Sequence, residues 1–297
     1  MKGHNNMREI ILHCFQWKIS DITKILDKVK ECGYTSIQVT PVQPCKKGDE
    51  WWTYYQPLSF KIGNRSGTKE DLTELCYKAN KIGIKIIVDV VLRHLAGDES
   101  GKLIPSQSVD QNLRDNPKFW TNAKNTVDYG NRNAIVNGAF GLPMLNYNDA
   151  ELQNIYINFL KELKNCGVGG FRIDMGKHFA LESEGSYFWT RVFGEFGDMF
   201  NYAECIETSE ELLNKYTPFI NVLTDSEATN QSKMVIYVMS HDTEESWGFT
   251  KSMDDNVITL KWDLLLKNYK ESNVLFYIRA YSDLWKMENI KNINLAG

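Results

Sequence analysis

Three carboxylates, each closing a short apolar run, are the side chains of this sequence best placed to do chemistry: Asp174, Glu204 and Asp242. Residues 170–178 read Gly-Phe-Arg-Ile-Asp-Met-Gly-Lys-His. Side chains alternate along an extended chain, so Arg172 and Asp174 share a face and the acid falls at the carboxyl tip. Residues 200–204 (Phe-Asn-Tyr-Ala-Glu) and 235–242 (Val-Ile-Tyr-Val-Met-Ser-His-Asp) repeat the design. Parallel barrels assemble catalytic sites from the tips of several strands, and cleaving a glycosidic bond needs a nucleophile and a separate proton donor. Arg172 is expected to keep the Asp174 carboxylate charged and oriented. Glu195, after Val192-Phe193-Gly194, rivals Glu204 as the second acid. Glu204 is favoured because it follows an apolar run, whereas Glu195 precedes one and is expected at the opposite, stabilising face of a barrel.

Such acids need strands to carry them. Apolar runs over residues 9–15, 35–39, 84–91, 170–174, 200–203, 218–223, 235–239 and 274–278 read as strands, the third being the continuous β-branched kind found in buried parallel sheets. Between them lie helical patterns. Ser20 is expected to cap a helix burying Ile22, Ile25, Leu26 and Val29, stopped by Gly33. Thr68 and Asp71 have capping-box spacing ahead of Leu72, Leu75, Cys76 and Ala79. A helix over 149–165 turns Leu152, Ile155, Tyr156, Phe159, Leu160 and Leu163 inward, and a last one carries Leu284, Trp285, Met287 and Ile290. This alternation predicts α/β architecture, a (β/α)8 barrel formed by residues 1–94 and 148–297. Residues 95–147 are polar and without period, and are expected to form an inserted irregular subdomain after strand three. Residues 224–233 leave little room for a crossover helix, so helix six should be short or missing.

The composition narrows the partners. A formal charge of −4 and a pI near 5.8 leave no basic footprint for nucleic acid or an anionic membrane. A neutral substrate suits this balance better. The chain holds 8 Trp, 14 Tyr and 14 Phe, enough both to fill a core and to stack against sugar rings. Six scattered cysteines without a paired spacing read as reduced core thiols. The apolar run near the N-terminus is too short for a signal-peptide core and none reaches membrane-spanning length, so a cytoplasmic location is expected unless an upstream leader was removed.

Four ordered segments resemble the signatures of the alpha-amylase family of glycoside hydrolases: Asp89-Val-Val-Leu-Arg-His94, residues 170–178, Tyr202-Ala-Glu204 and Ser240-His-Asp242. Gly141-Leu-Pro-Met-Leu-Asn146 resembles a fifth, and residues 11–17 and 55–64 look like the bacterial saccharifying amylases in particular. The resemblance implies a retaining hydrolase of α-1,4-glucosidic bonds in starch, glycogen or maltodextrin. Asp174 is then the nucleophile, Glu204 the general acid and base, and Asp242 the group that grips sugar hydroxyls. It also implies substrate contacts for Trp52, Tyr55, His94, Arg172, Lys177, His178 and His241, with Tyr55 stacking at the cleavage point and Lys177 and His178 on the leaving-group side.

The sequence departs from that pattern in three places. Arg93 stands where the family usually has an Asn that ligates a structural calcium, and a guanidinium is donor-only and permanently charged. No metal is therefore expected, and Arg93 is expected to put its own charge in the calcium position. Helix six is expected to be short or missing and the C-terminal β-sandwich of the family to be absent, so exposed apolar barrel surface is expected. A catalytically degenerate glucan-binding protein and an α-glucan transglycosylase are the alternative readings.

Overall fold

The computed structural model describes residues 8–126, 128–225 and 229–297. Eight parallel strands close into a barrel in sequence order: β1 (Ile10–Cys14), β2 (Ser36–Val39), β3 (Lys85–Val90), β4 (Gly170–Ile173), β5 (Phe200–Glu204), β6 (Asn221–Leu223), β7 (Met234–Tyr237) and β8 (Asn273–Tyr277). The expected (β/α)8 architecture is the observed one. Strand-to-strand register sets Asp89 beside Arg172 and Arg172 beside Tyr202, so three polar side chains of neighbouring strands are brought level inside the barrel. Their layer continues through Gln38, which accepts from the Tyr202 hydroxyl and donates to His13 Nε2 at 3.1 Å. All five side chains are buried.

Helices cover the outside: α1 (Ile19–Glu31), α2 (Lys69–Lys81), the short α3 (Gln111–Arg114) and α4 (Arg132–Asn137), then α5 (Ala150–Asn165), α6 (Glu210–Tyr216), α7 (Asp255–Asn268) and α8 (Glu288–Ala296). Helix α2 carries the predicted capping box, with Asp71 N–H donating to Thr68 Oγ1 and Thr68 N–H donating to the Asp71 carboxylate. Ser20 does not cap α1. The helix starts two residues earlier, with Lys18 at the cap position, because Ile19 is buried and its N–H donates to the Ser66 carbonyl at 2.8 Å, a tertiary bond that fixes the start. Asp149 caps α5, and the inward stripe falls as expected except that Ile155 is only partly buried. At the end of the chain a 3₁₀ turn (Leu284–Lys286) buries Leu284 and Trp285 before α8, leaving Met287 at the junction and 53% exposed rather than inward.

Two crossovers are irregular. Between β4 and β5 the chain uses 3₁₀ and π turns, pinned by buried Trp189, Val192, Phe193 and Phe196. Between β6 and β7 the described residues contain only the 3₁₀ turn Gln231–Lys233, in line with a short or missing helix six. Residues 95–147 hold α3, α4 and isolated bridges, one of which joins His94 to Met144. Val257, Leu260 and Leu264 line an exposed apolar face of α7. Among the described residues every cysteine is free, five of them buried, and no helix is long and apolar enough to cross a membrane.

The turn leaving β4 lies hard against β5. A Cβ on Gly176 would stand 2.5 Å from Ala203 Cβ and 2.8 Å from Glu204 N, whereas one on Gly194 would meet nothing within 4 Å. Gly176→Ala is expected to lower the thermal midpoint by about 2–10 °C, the usual cost of overpacking at this size. Gly194→Ala should leave it unchanged; equal midpoints in calorimetry would refute the close approach.

Candidate active site

Everything at the carboxyl end of the barrel turns on Arg172. It lies mid-strand in β4, fully buried, and points its guanidinium among carboxylates supplied by three consecutive strands. Nη1 donates to both Asp89 oxygens at 2.9 and 3.0 Å and to Asp174 Oδ1 at 2.8 Å. Nη2 lies 3.1 Å from Glu204 Oε1. Asp174 directly follows β4 and Glu204 is the last residue of β5, so strand ends place both acids as the sequence implies. Asp242 arrives differently. It opens a π turn (Asp242–Ser246) five residues past β7 instead of ending the strand.

A main-chain donor completes the cluster. Met175 adopts a left-handed backbone (φ 52), which aims its N–H at Glu204 Oε2, 2.8 Å away. Asp89 is pushed up to about 6 by burial, against the pull of Arg172. Burial likewise raises the Asp174, Glu204 and Asp242 carboxyls, and Arg172 opposes the rise in each. One permanent positive charge cannot neutralise four buried carboxylates, so protons are retained within the group. Such a cluster can offer an ionised carboxylate and a protonated one side by side.

The remaining predicted site residues divide by position. His241 is sandwiched between Phe15 and Tyr55, with centroids at 4.8 and 5.3 Å, and its Nε2 lies 3.5 Å from Asp242 Oδ2. Burial lowers its imidazole to about 3, so it is neutral. Tyr55 is buried, donating its hydroxyl to Asp89 Oδ2 at 2.8 Å. His94 donates from Nε2 to the Tyr55 carbonyl at 2.7 Å, and its buried Nδ1 has no partner among the described residues. Lys177 donates to the Ile206 carbonyl at 2.6 Å and His178 Nδ1 to the Ile135 carbonyl at 3.1 Å. Trp52 stands apart, 39% exposed beside Lys46. Glu195 is remote from the cluster in the turn before β5, ion-paired with Lys161 at the surface.

A cleft of about 360 Å³ opens over Glu204 and Asp242, walled by Tyr129, Met175, Lys177, His178 and Trp247. Asp174 is not part of its lining and has 10% of its side chain exposed. Sequence reasoning missed four of these contributors. Asp89 had a visible signal, a carboxylate inside an otherwise apolar strand. Met175, Tyr129 and Trp247 had none, since their roles arise from a backbone twist and from loops that meet only in the fold.

Known proteins resemble this chain in sequence and in fold. Residues 18–276 match the alpha-amylase catalytic domain. The alpha-amylase of Clostridium acetobutylicum is 31% identical over 234 residues, 73% of this chain and 30% of that protein. In fold, the chain is similar to the alpha-amylase of Geobacillus thermoleovorans complexed with acarbose (TM-score 0.77, 16% identity, 98% of this chain and 79% of that one). A mutant of alpha-amylase I from Eisenia fetida in complex with maltohexaose is also similar (TM-score 0.74, 19% identity, 91% and 66%). The chain spans only 30% to 40% of the length of the curated relatives it matches. A family match over most of the chain, laid on a closed barrel whose carboxyl end gathers the signature acids, makes this protein a member of the alpha-amylase family.

Proposed function

We propose that the chain is a retaining α-glucan hydrolase that cleaves α-1,4-glucosidic bonds of starch, glycogen or maltodextrin. The observation that carries this reading is the grip of one guanidinium on Asp174 and Glu204 together. Carboxyls held by the two terminal nitrogens of one arginine stand side by side, which favours the spacing of about 5 Å used for covalent catalysis over the roughly 6.5–9.5 Å that admits a water between them. The maltohexaose and acarbose bound by the similar structures support an α-glucan oligosaccharide as the ligand.

In this reading Asp174, closest to Arg172, attacks the anomeric carbon as the glycosidic C–O bond breaks. Glu204 gives its proton to the departing oxygen. Water then donates a proton back to Glu204 and its hydroxide displaces Asp174, restoring both groups. Asp242, which lines the cleft beside Glu204, takes sugar hydroxyls, and the neutral His241 and His94 lie next to the cluster as further substrate contacts. Lys177 and His178 lie in the cleft where the leaving group exits. Tyr55 supplies the ring at the cleavage point, and Trp52 an exposed face further along the donor side.

Asp174→Ala and Glu204→Gln should each cut kcat on soluble starch by about 10²–10⁴ or more while the thermal midpoint moves only a few degrees. Glu195→Gln should behave as wild type; a dead Glu195→Gln beside an active Glu204→Gln reverses the assignment. Reducing-sugar release separates hydrolysis from transglycosylation, which makes new chain lengths, and from binding without turnover. The pH profile is a second check. The working state needs Asp174 ionised and Glu204 protonated, and burial raises both, so both limbs of kcat/KM should lie above the ordinary carboxylate range of about 4. An alkaline limb at that ordinary value would contradict the assignment of Glu204 as the buried acid.

A further inference from the structure

Where the alpha-amylase pattern leads one to expect a structural calcium, the donors are already spent. Arg93, three residues past β3 and 1% exposed, donates from Nη1 to the Leu145 carbonyl and from Nη2 to the Val136 carbonyl, both at 2.8 Å. Its Nε reaches the His178 carbonyl at 3.3 Å, and Tyr147 presents its ring 4.8 Å from the guanidinium carbon. Those three oxygens belong to α4, to the returning end of the insert and to the turn after β4, which is the set of segments a bridging cation would tie together. A second guanidinium works beside the first. Arg132, at the start of α4, holds Glu184 through two 2.7 Å bonds, donates to the Phe179 carbonyl at 3.2 Å and the Tyr216 hydroxyl at 2.9 Å, and bonds the Lys177 carbonyl.

The carbonyls of Lys177, His178 and Phe179 thus each accept from an arginine. His178 returns the contact through Nδ1 to Ile135 on α4. Calcium needs six to eight oxygens with free lone pairs, while here a permanent positive charge already lies between the available carbonyls. Among the described residues no group of three or more acidic, His or Cys side chains is assembled to hold a metal. The residues present do not fit a calcium ion.

We infer that Arg93 and Arg132 form a two-arginine clasp that fastens the insert to the β4–β5 wall in place of a divalent cation, so that the insert stays locked without metal. Arg93 is the interior rivet, its charge satisfied by carbonyl dipoles and an aromatic face. Arg132 is the outer one, anchored by a carboxylate. Between them they fix the turn that carries Lys177 and His178 into the cleft. The inference concerns fastening and not turnover, so it stands or falls independently of the proposed hydrolysis.

The test uses the whole purified chain, followed by thermal unfolding and by the rate of limited proteolysis within residues 95–147. Wild-type protein should give the same midpoint and the same cleavage rate in buffer, in EDTA and in added calcium. A midpoint that falls by several degrees in EDTA and recovers with calcium overturns the inference. Arg93→Gln and Arg132→Gln should each speed cleavage within 95–147 at least ~fivefold, because the freed carbonyls and lost bonds ease local opening. An insert as resistant in Arg132→Gln as in wild type shows that the guanidinium is not the fastener. Should Arg93→Gln fail to fold, that variant at the rim and the chelator experiment still decide the matter.

Discussion

A single positive charge sealed inside a barrel organises this protein. Arg172 cannot lose its proton and cannot reach water, so the structure must supply anions to it, and it does so from the adjoining strand, from its own strand end and from the next one. Asp89 is the structural counter-ion, fully buried and bonded through both oxygens. Asp174 and Glu204 are the less deeply buried edge of the same cluster. Removing Asp89 would leave the buried charge without its main counter-ion and should cost about 3–5 kcal/mol, whereas loss of either edge acid leaves the guanidinium still bonded to both Asp89 oxygens. The excess of buried carboxylates over positive charge then favours retention of protons within the group.

Much of this was legible from residue order. Eight apolar runs marked the strands, two of them leading into Asp174 and Glu204, and the two-residue spacing of Arg172 and Asp174 put both on one face because strands alternate. The architecture followed because each run alternates with a helical stripe. Local signals failed where tertiary contacts decide. Ser20 has the chemistry of a cap, but the burial of Ile19 and its bond to Ser66 move the helix start. Met287 has the hydrophobicity of a core residue, yet it falls at the break between a 3₁₀ turn and α8. Asp242 reads as a strand terminus but belongs to a turn beyond it.

The candidate site shows the same division. The acids are readable because their types and positions are unusual for strands. Tyr55 is chemically suited to stack on a sugar, but its hydroxyl serves Asp89 and its ring covers His241, so its position reflects the cluster as much as any ligand. The insert was legible only as an irregular stretch, because carbonyl acceptors leave no trace in side-chain identity. Only the donors could be noticed, and Arg93 was visible as a cation out of place.

The most direct test of the central claim is covalent trapping. Glu204→Gln keeps the nucleophile but lacks the base that frees it, so treatment with an α-glucosyl fluoride, whose leaving group needs no acid, should accumulate a glucosyl-enzyme. Peptide mass spectrometry should then find one glucosyl residue on the peptide bearing Asp174. A label on Glu195 or Asp242 instead, or hydrolysis of the fluoride with no covalent species, would contradict the account.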